Sequence, residues 1–260
     1  MSTAASWPPD AARGVDSAAL LPDGVPMDPV VLSPATPTDD PFRRLLADSD
    51  LLALRDAREA DLRARPTTAR GIQTVENLLH AARALITLGD VRDLTTIAIA
   101  AYANVNVATL YRYFRDVDAV LREITLRREI EAAELLATGL AGFARSSDWR
   151  AYSDSIVEGM SQHWNTSLDR GALVLGLRGV SGIWPIIRAG HEANAELIAL
   201  ALHQRDDRRS EQEWLAVARP LVVTVREGLN YAYLTDPPDD PYIAELKTLT
   251  AAYAACYLPD

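Results

Sequence analysis

The sequence predicts an all-α protein, on three observations. Apolar residues recur at i, i+3 and i+4 over most of the chain after residue 42. No stretch alternates polar and apolar with period two, and the single Asp-Gly pair, Asp23-Gly24, lies in a proline-rich terminus rather than between strands. Prolines fall where helices start, as at Pro185 and Pro241.

Residues 1–41 hold eight prolines and no apolar period, so they are expected to be a disordered tail with too little apolar surface to offset ordering entropy. From Phe42 to Arg65 the pattern turns helical around Leu45, Leu46 and Leu52, with the charged run Arg55-Asp56-Ala57-Arg58-Glu59. Pro66 closes this stretch (42–66), because the residue before a proline avoids helical backbone. It can be a solvated charged helix or an arm reaching to a partner, and its composition leaves both open.

The next unit spans 67–115. Ile72, Val75, Leu78, Leu79, Ala82, Leu85 and Ile86 make the apolar face of a first helix, with Gly89 expected as its left-handed cap. Thr95 caps a short second helix with Ile99 inward. In Ala103-Asn104-Val105-Asn106, Asn104 can take the left-handed conformation, and Asn106 suits the N-cap of a third helix from Val107 to Phe114. Two short helices across a tight turn are helix-turn-helix geometry, although a generic helical corner looks similar. Beyond Asp116 a long helix holds Val120, Leu121, Ile124, Ile130 and Leu135. Further helices are expected at about 148–165, 169–179, 185–205, 211–234 and 240–257, with Pro220 kinking or restarting the fourth.

Composition excludes several classes. No run approaches the roughly 18–20 apolar residues of a membrane helix, and the start MSTAASWPPD is not a secretory signal. The single cysteine, Cys256, forms no internal disulfide, which fits a cytoplasmic location. The net charge is −10, distributed as −4 over 1–65, +1 over 66–130 and −7 over 131–260. The middle segment is the least acidic, which permits phosphate contacts without arguing for them. The four histidines, His80, His163, His191 and His203, show no metal-ligand spacing, and no phosphate loop or nucleophile elbow occurs. No metal, cofactor or catalytic residue is expected, and the protein is not expected to be an enzyme.

Leu78-Leu79-His80-Ala81-Ala82-Arg83-Ala84-Leu85-Ile86-Thr87-Leu88-Gly89 resembles the first-helix pattern of the TetR (tetracycline repressor) family. Thr95-Thr96-Ile97-Ala98-Ile99-Ala100 resembles that family's second helix. Asn104-Val105-Asn106-Val107-Ala108-Thr109-Leu110-Tyr111-Arg112-Tyr113-Phe114 is similar to its turn and recognition helix, with an intact Thr-Leu-Tyr-x-Tyr-Phe core. The resemblance covers about 50 residues and departs at three places. The turn glycine is Asn104, the usual small residue before the Thr-Leu-Tyr core is Ala108, and the lysine usual at the start of the fourth helix is Val117, which weakens the expected phosphate clamp unless Arg115 substitutes.

The resemblance implies a helix-turn-helix DNA-binding domain followed by a larger helical ligand-binding and dimerisation domain at 116–260. It implies a cytoplasmic, homodimeric transcriptional regulator, commonly a repressor, on a palindromic operator in double-stranded DNA, responsive to an unidentified small molecule. With Leu110 and Phe114 facing the core, the DNA side is expected to hold Asn106, Val107, Ala108, Thr109, Tyr111, Arg112 and Tyr113. Arg112 would fork onto guanine while Val107 and Ala108 meet thymine methyls. Thr68, Arg70, Thr95, Thr96 and Arg115 would meet backbone phosphates. Dimerisation is expected through 211–257, by the stripes Leu221, Val222, Val225, Leu229 and Ile243, Leu246, Leu249, Tyr253.

Phe143, Trp149, Tyr152, Met160, His163, Trp164 and Trp184 are aromatic, soft or polar residues of the kind a pocket uses, and equally of the kind a core uses. Met160, His163, Trp164, Trp184 and Arg188 are the expected ligand contacts. The alternative function is a helical ligand-binding or protein-interaction dimer with a weakened DNA-binding head.

Overall fold

A computed structural model describes residues 40–58, 63–89, 91, 94–166, 177–235 and 237–258. Every regular element among them is helical. The order is α1 (Pro41–Ala47), α2 (Asp50–Arg58), α3 (Ala69–Leu88), α4 (Thr96–Tyr102), α5 (Val107–Tyr113), α6 (Val117–Leu140), α7 (Trp149–Thr166), α8 (Trp184–Arg205), α9 (Glu211–Ala232) and α10 (Asp240–Ala255), with 3₁₀ turns at Phe143–Arg145 and Leu177–Gly179. The proline-rich tail lies outside the described residues, as does most of the helix expected at 169–179.

Two cores organise these helices. The head core joins α3, α4, α5 and the first turns of α6 through Val75, Leu78, Ile86, Ile99, Leu110, Phe114, Val120 and Ile124. Leu177 and Ile183 enter it from the body side. The body core joins α1, α2, the rest of α6 and α7–α10, with Trp149, Trp164, Trp214 and Leu197 deeply buried. Burying a side chain such as Leu110 or Phe114 contributes about 1.5–3 kcal/mol.

The single helix expected over 42–65 is two helices. Ser49 breaks it: its hydroxyl donates to the Leu46 carbonyl at 2.6 Å and accepts from the Leu52 N–H at 3.4 Å, ending one helix and starting the next. Neither half is a solvated helix or a free arm. Phe42, Leu46 and Leu51 are buried in the body core, and α1 and α2 pack on α6 and α8. The chain then returns to the head, where the Arg63 N–H donates to the Tyr113 carbonyl at 3.2 Å.

Gly89 does not form a left-handed cap, because the chain leaves α3 in extended backbone at φ −154° and ψ −156°. The one non-glycine residue in the left-handed region among the described residues is Asn104, at φ 54° in the turn between α4 and α5. Pro220 does not interrupt α9, which runs unbroken for 22 residues. Pro220 and Ala216 lie on the exposed face, so the carbonyl that the missing N–H leaves is on the solvent side of the helix.

The stripes expected to meet a partner are mostly interior. Leu221, Val222, Leu229, Ile243 and Leu246 are buried within one chain, and Val225 and Tyr253 pack against the same core. The reason is that α9 must cover α8 on one side and α10 on the other, which consumes its strongest apolar face. Only Leu249 of the named residues is well exposed.

Candidate nucleic-acid interface and body cavity

Side-chain caps set the starts of the three head helices, α3, α4 and α5. Thr68 accepts from the Gly71 N–H at 3.1 Å, Thr95 from the Ala98 N–H at 3.1 Å, and Asn106 from the Ala108 N–H at 2.8 Å. Each oxygen satisfies one donor that a helix start would otherwise leave bare. A threonine hydroxyl that accepts a capping bond keeps its own O–H to donate, so capping and phosphate contact are compatible at Thr68 and Thr95.

The third helix, α5, is seven residues and about 10 Å long, ending at Tyr113 with Phe114 already extended. Leu110 and Phe114 anchor it in the head core. Ala108, Tyr111 and Arg112 face outward with the cap Asn106, while Val107 and Thr109 are half-buried. The Tyr111 hydroxyl meets the Thr96 hydroxyl at 3.0 Å, tying the outer faces of α4 and α5 together. The exposed surface around α5 also carries Arg70 and Arg115.

Tyr113 departs from expectation. It is 4% exposed and belongs to the head core, because it lies three residues after Leu110 and shares its inward face. Its hydroxyl sits 3.2 Å from where a Cβ on Gly71 would stand, so the glycine makes room for the ring. The Arg112 guanidinium lies 5.5 Å from that ring's centre, which steadies the arginine at the surface.

Arg115 pairs with Asp116 at 3.0 Å. Burial pushes the Asp116 carboxyl up, but the Ala119 N–H and the Arg115 guanidinium more than offset it, so its pKa lies below the ordinary value. Val117 is half-buried against the head core, an apolar packing residue at the start of α6. Ile97, on the outer face of α4, is 71% exposed and was not singled out by sequence. Its signal was its place between Thr96 and Ala98, off the face that Ile99 defines.

The body holds a cavity of about 90 Å³ bounded by α6–α10. Its wall is largely apolar, with Leu140, Phe143, Trp149, Met160, Ile198 and Leu202 among the lining residues. Of the expected contacts only Met160 lines it. Trp164 is buried beside it and donates its indole N–H to Asn230 Oδ1 at 2.9 Å, with the His163 ring packed edge-on at 5.9 Å. Trp184 is 61% exposed and Arg188 is exposed on the same face one turn later. They start α8, whereas the cavity meets α8 from Asn194 onward, which explains their absence from it.

The polar residues of the cavity were not singled out by sequence. Asn194 and Arg226 line it, 1% and 7% exposed respectively. Arg226 donates through Nη2 to Glu129 Oε1 at 2.5 Å in a pair buried on both sides. Arg226 recurs four residues after Val222 and three before Leu229, so a charge on an apolar stripe was the available signal. The Trp164 ring centre lies 5.1 Å from the Arg128 guanidinium and 5.8 Å from that of Arg226. Among the described residues no group of His, Cys, Asp and Glu could hold a metal ion, and no helix is long and apolar enough to cross a membrane.

Residues 78–124 match the family model of the bacterial regulatory proteins, tetR family. No curated protein matches the chain. A TetR-family transcriptional regulator from Streptomyces coelicolor is 20% identical with a TM-score of 0.53, over 73% of this chain and 99% of its own. A protein from Mesorhizobium loti MAFF303099, described as a TetR-family transcriptional regulator, is 16% identical with a TM-score of 0.58, over 74% and 98%. The model match falls on the helix-turn-helix, and at these identities the two structures establish a shared fold.

Proposed function

We propose that this chain, with a TetR-family head on a TetR-family fold, is a sequence-specific transcriptional regulator that reads double-stranded DNA as a homodimer. One observation carries the reading: α5 presents Ala108, Tyr111 and Arg112 outward while Leu110, Tyr113 and Phe114 lock it to the head core. A short rigid helix with one outward arginine suits the major groove, where a guanidinium can fork onto guanine and Ala108 can meet a thymine methyl. Val107 would assist from the half-buried edge. Thr68, Arg70, Thr95, Thr96, Thr109 and Tyr111 are the proposed phosphate contacts, which set register rather than sequence.

Two heads on half-sites about one helical turn apart require a two-fold, hence a palindromic operator. The proposed dimer face is the outer side of α9 and α10, where Val223, Tyr231, Tyr242 and Leu249 remain exposed and the Tyr231 and Tyr242 rings lie 5.1 Å apart. The body cavity is proposed as the site of a small effector that releases the protein from its operator, making it a repressor of the reducing cytoplasm. The test is a titration against DNA from upstream of its own gene, with random DNA as competitor at two salt concentrations. A salt-sensitive preference with a palindromic footprint is expected. Equal affinity for both DNAs, or none at low salt, overturns the proposal.

A further inference from the structure

Four buried polar atoms at one end of the body cavity have no hydrogen-bond partner among the described residues: the donors Arg226 Nε and Nη1, and the acceptors Asn194 Oδ1 and Glu129 Oε2. Native proteins leave few such atoms unpaired, and these belong to three side chains more than nine-tenths buried. Their placement is not scattered. α8 and α9 are joined by the short turn 206–210 and pack together as an antiparallel pair. Asn194 is the first cavity residue on α8 and Arg226 the last on α9, so both mark the same end of the space. Glu129 is bonded to Arg226, and its unpaired Oε2 fills the place where a side chain on Gly190 would stand, one turn before Asn194 on α8.

We propose that this cavity binds a small neutral aliphatic carboxamide, its amide group joined to Asn194 and Arg226 and its chain lying along Ile198 and Leu202. The proposal rests on the reading of the cavity as the effector site, and it names the chemical class of that effector.

Charge calls for a neutral head group. Arg226 and Glu129 balance each other one to one. Arg128 is engaged elsewhere, donating to Asn230 Oδ1 at 3.4 Å and lying over the Trp164 ring. Burial and the Arg226 charge hold the neighbouring His191 well below its ordinary pKa, at about 4, so it adds no cation at neutral pH. A carboxylate or an ammonium would therefore enter as an uncompensated buried charge.

Among neutral groups, the open positions select the amide. They are two acceptors and two donors. A ketone or an ester brings no donor and leaves both acceptors bare, and a hydroxyl brings one donor for two acceptors. A primary carboxamide brings two N–H donors and a carbonyl with two lone pairs, which matches the set in number. It also carries a donor and an acceptor side by side, the reciprocal of the Asn194 amide, so the two can join by a pair of bonds. The second carbonyl lone pair is then available to Arg226 and the second N–H to Glu129.

Shape sets the chain. Asn194, Ile198 and Leu202 recur every four residues and form one line along α8, which leads from the polar end into the apolar wall. The other buried polar residue of that wall, Thr250, already donates its hydroxyl to the Leu246 carbonyl at 2.7 Å. An apolar cavity of about 150 Å³ admits benzene, so a space of about 90 Å³ suits a shorter body, near that of butanamide.

The experiment is isothermal titration of the full chain, free of DNA, with butanamide, pentan-2-one and butanoate. The three share one shape and differ only in the amino, methyl or oxide group on the carbonyl carbon. Saturable one-to-one binding of butanamide is expected, at least about tenfold tighter than either of the others, which corresponds to about 1.4 kcal/mol. Asn194→Leu is expected to weaken butanamide at least about tenfold and to spare pentan-2-one, with the helical circular dichroism unchanged. If the leucine variant does not fold, the series on the wild-type protein decides alone.

Pentan-2-one or butanoate binding as tightly as butanamide overturns the proposal. So does wild-type affinity for butanamide in a folded Asn194→Leu protein. No binding of butanamide at millimolar concentration also overturns it, and leaves the four atoms to ordered water. Each of these failures leaves operator binding by the ligand-free protein untouched. Butanamide binding without any change in operator affinity upholds the proposal and refutes only release by an effector.

Discussion

The buried pair of Glu129 and Arg226 gives a prediction whose sign reverses between a single and a double variant. At 2.5 Å and an effective dielectric of about 20, the two charges attract by about 7 kcal/mol. Desolvating each ion costs several kcal/mol, so the intact pair nets close to zero. Removing one partner leaves the other's cost uncompensated. Glu129→Leu is therefore expected to destabilise the protein by about 3–5 kcal/mol. For a body of this size that lowers the melting temperature by about 6–20 °C. The double variant Glu129→Leu with Arg226→Met replaces the pair by apolar groups of similar volume. It is expected to recover wild-type stability or exceed it by about 1–4 kcal/mol. Thermal unfolding at neutral pH, followed by far-ultraviolet circular dichroism, reads all three proteins. A single variant that loses less than about 1 kcal/mol, or a double variant no more stable than the single, refutes the assignment of a desolvated pair.

Four further outcomes follow from named contacts. Arg112→Ala should weaken binding to the preferred sequence by about 1–3 kcal/mol and leave random DNA nearly unaffected; competition titration separates this from a phosphate role, which would weaken both equally. Asn106→Ala removes the cap on the Ala108 N–H and should cost about 1 kcal/mol, while Asn106→Gly costs only a few tenths; equal melting curves for wild type and alanine variant would remove the cap from the account. Val117→Lys should tighten DNA binding and steepen its salt dependence by adding a cation at the head of α6, and an unchanged slope would mean that this end does not approach phosphate. His191 is held neutral by burial and Arg226, its pKa lowered to about 4 from 6.5. The unfolded chain therefore binds a proton that the folded one refuses, so stability should fall as pH drops from 6.5 toward 4, and His191→Gln should flatten that slope.

The head was legible because local rules and packing agree there. Thr95, Asn104 and Asn106 each have a backbone reason for their identity, and Leu110 with Phe114 fixes which side of α5 is inward. Tyr113 was legible too, since it lies three residues after Leu110, but its hydroxyl made a DNA-facing role look equally natural. The body was less so. Leu221, Val222 and Leu229 form the same stripe whether they meet a second chain or α8 and α10, and helical period carries no information on which neighbour covers it. What distinguishes them is exposure in the folded chain, with Val223 at 47% and Tyr231 at 58% left uncovered. Trp184 shows the converse. A tryptophan next to a helix-starting proline looks like a core or pocket residue, yet the first turn of α8 projects it outward.

Helix α6 is the element through which the proposed DNA-reading head and the body cavity would be coupled. It is 24 residues and about 36 Å long, and both cores use it. Val120, Leu121 and Ile124 belong to the head, and Leu126 through Leu140 to the body. Glu129 stands only five residues, or about 7.5 Å along the axis, beyond Ile124. Group by group, the path runs from the cavity to Arg226, from Arg226 to Glu129, and along α6 to the residues that seat α5. The seam is held at other points. Arg127 bonds Glu76 of α3 at 2.6 Å and Glu123 at 2.8 Å, and Arg122 bonds the Ser181 carbonyl ahead of α8 at 3.0 Å. The α1–α2 pair grips the body, and the segment after it is tied to the end of α5 through Arg63. A shift of α6 at Glu129 therefore cannot stay within the body: it moves the head core or breaks these ties. Gly190 sharpens the constraint, because an added Cβ would stand 2.0 Å from Glu129 Oε2, so α8 can approach α6 this closely only through the glycine. The arrangement joins the head core to the cavity through one helix and one buried charge pair, a contiguous route that the proposed coupling would use.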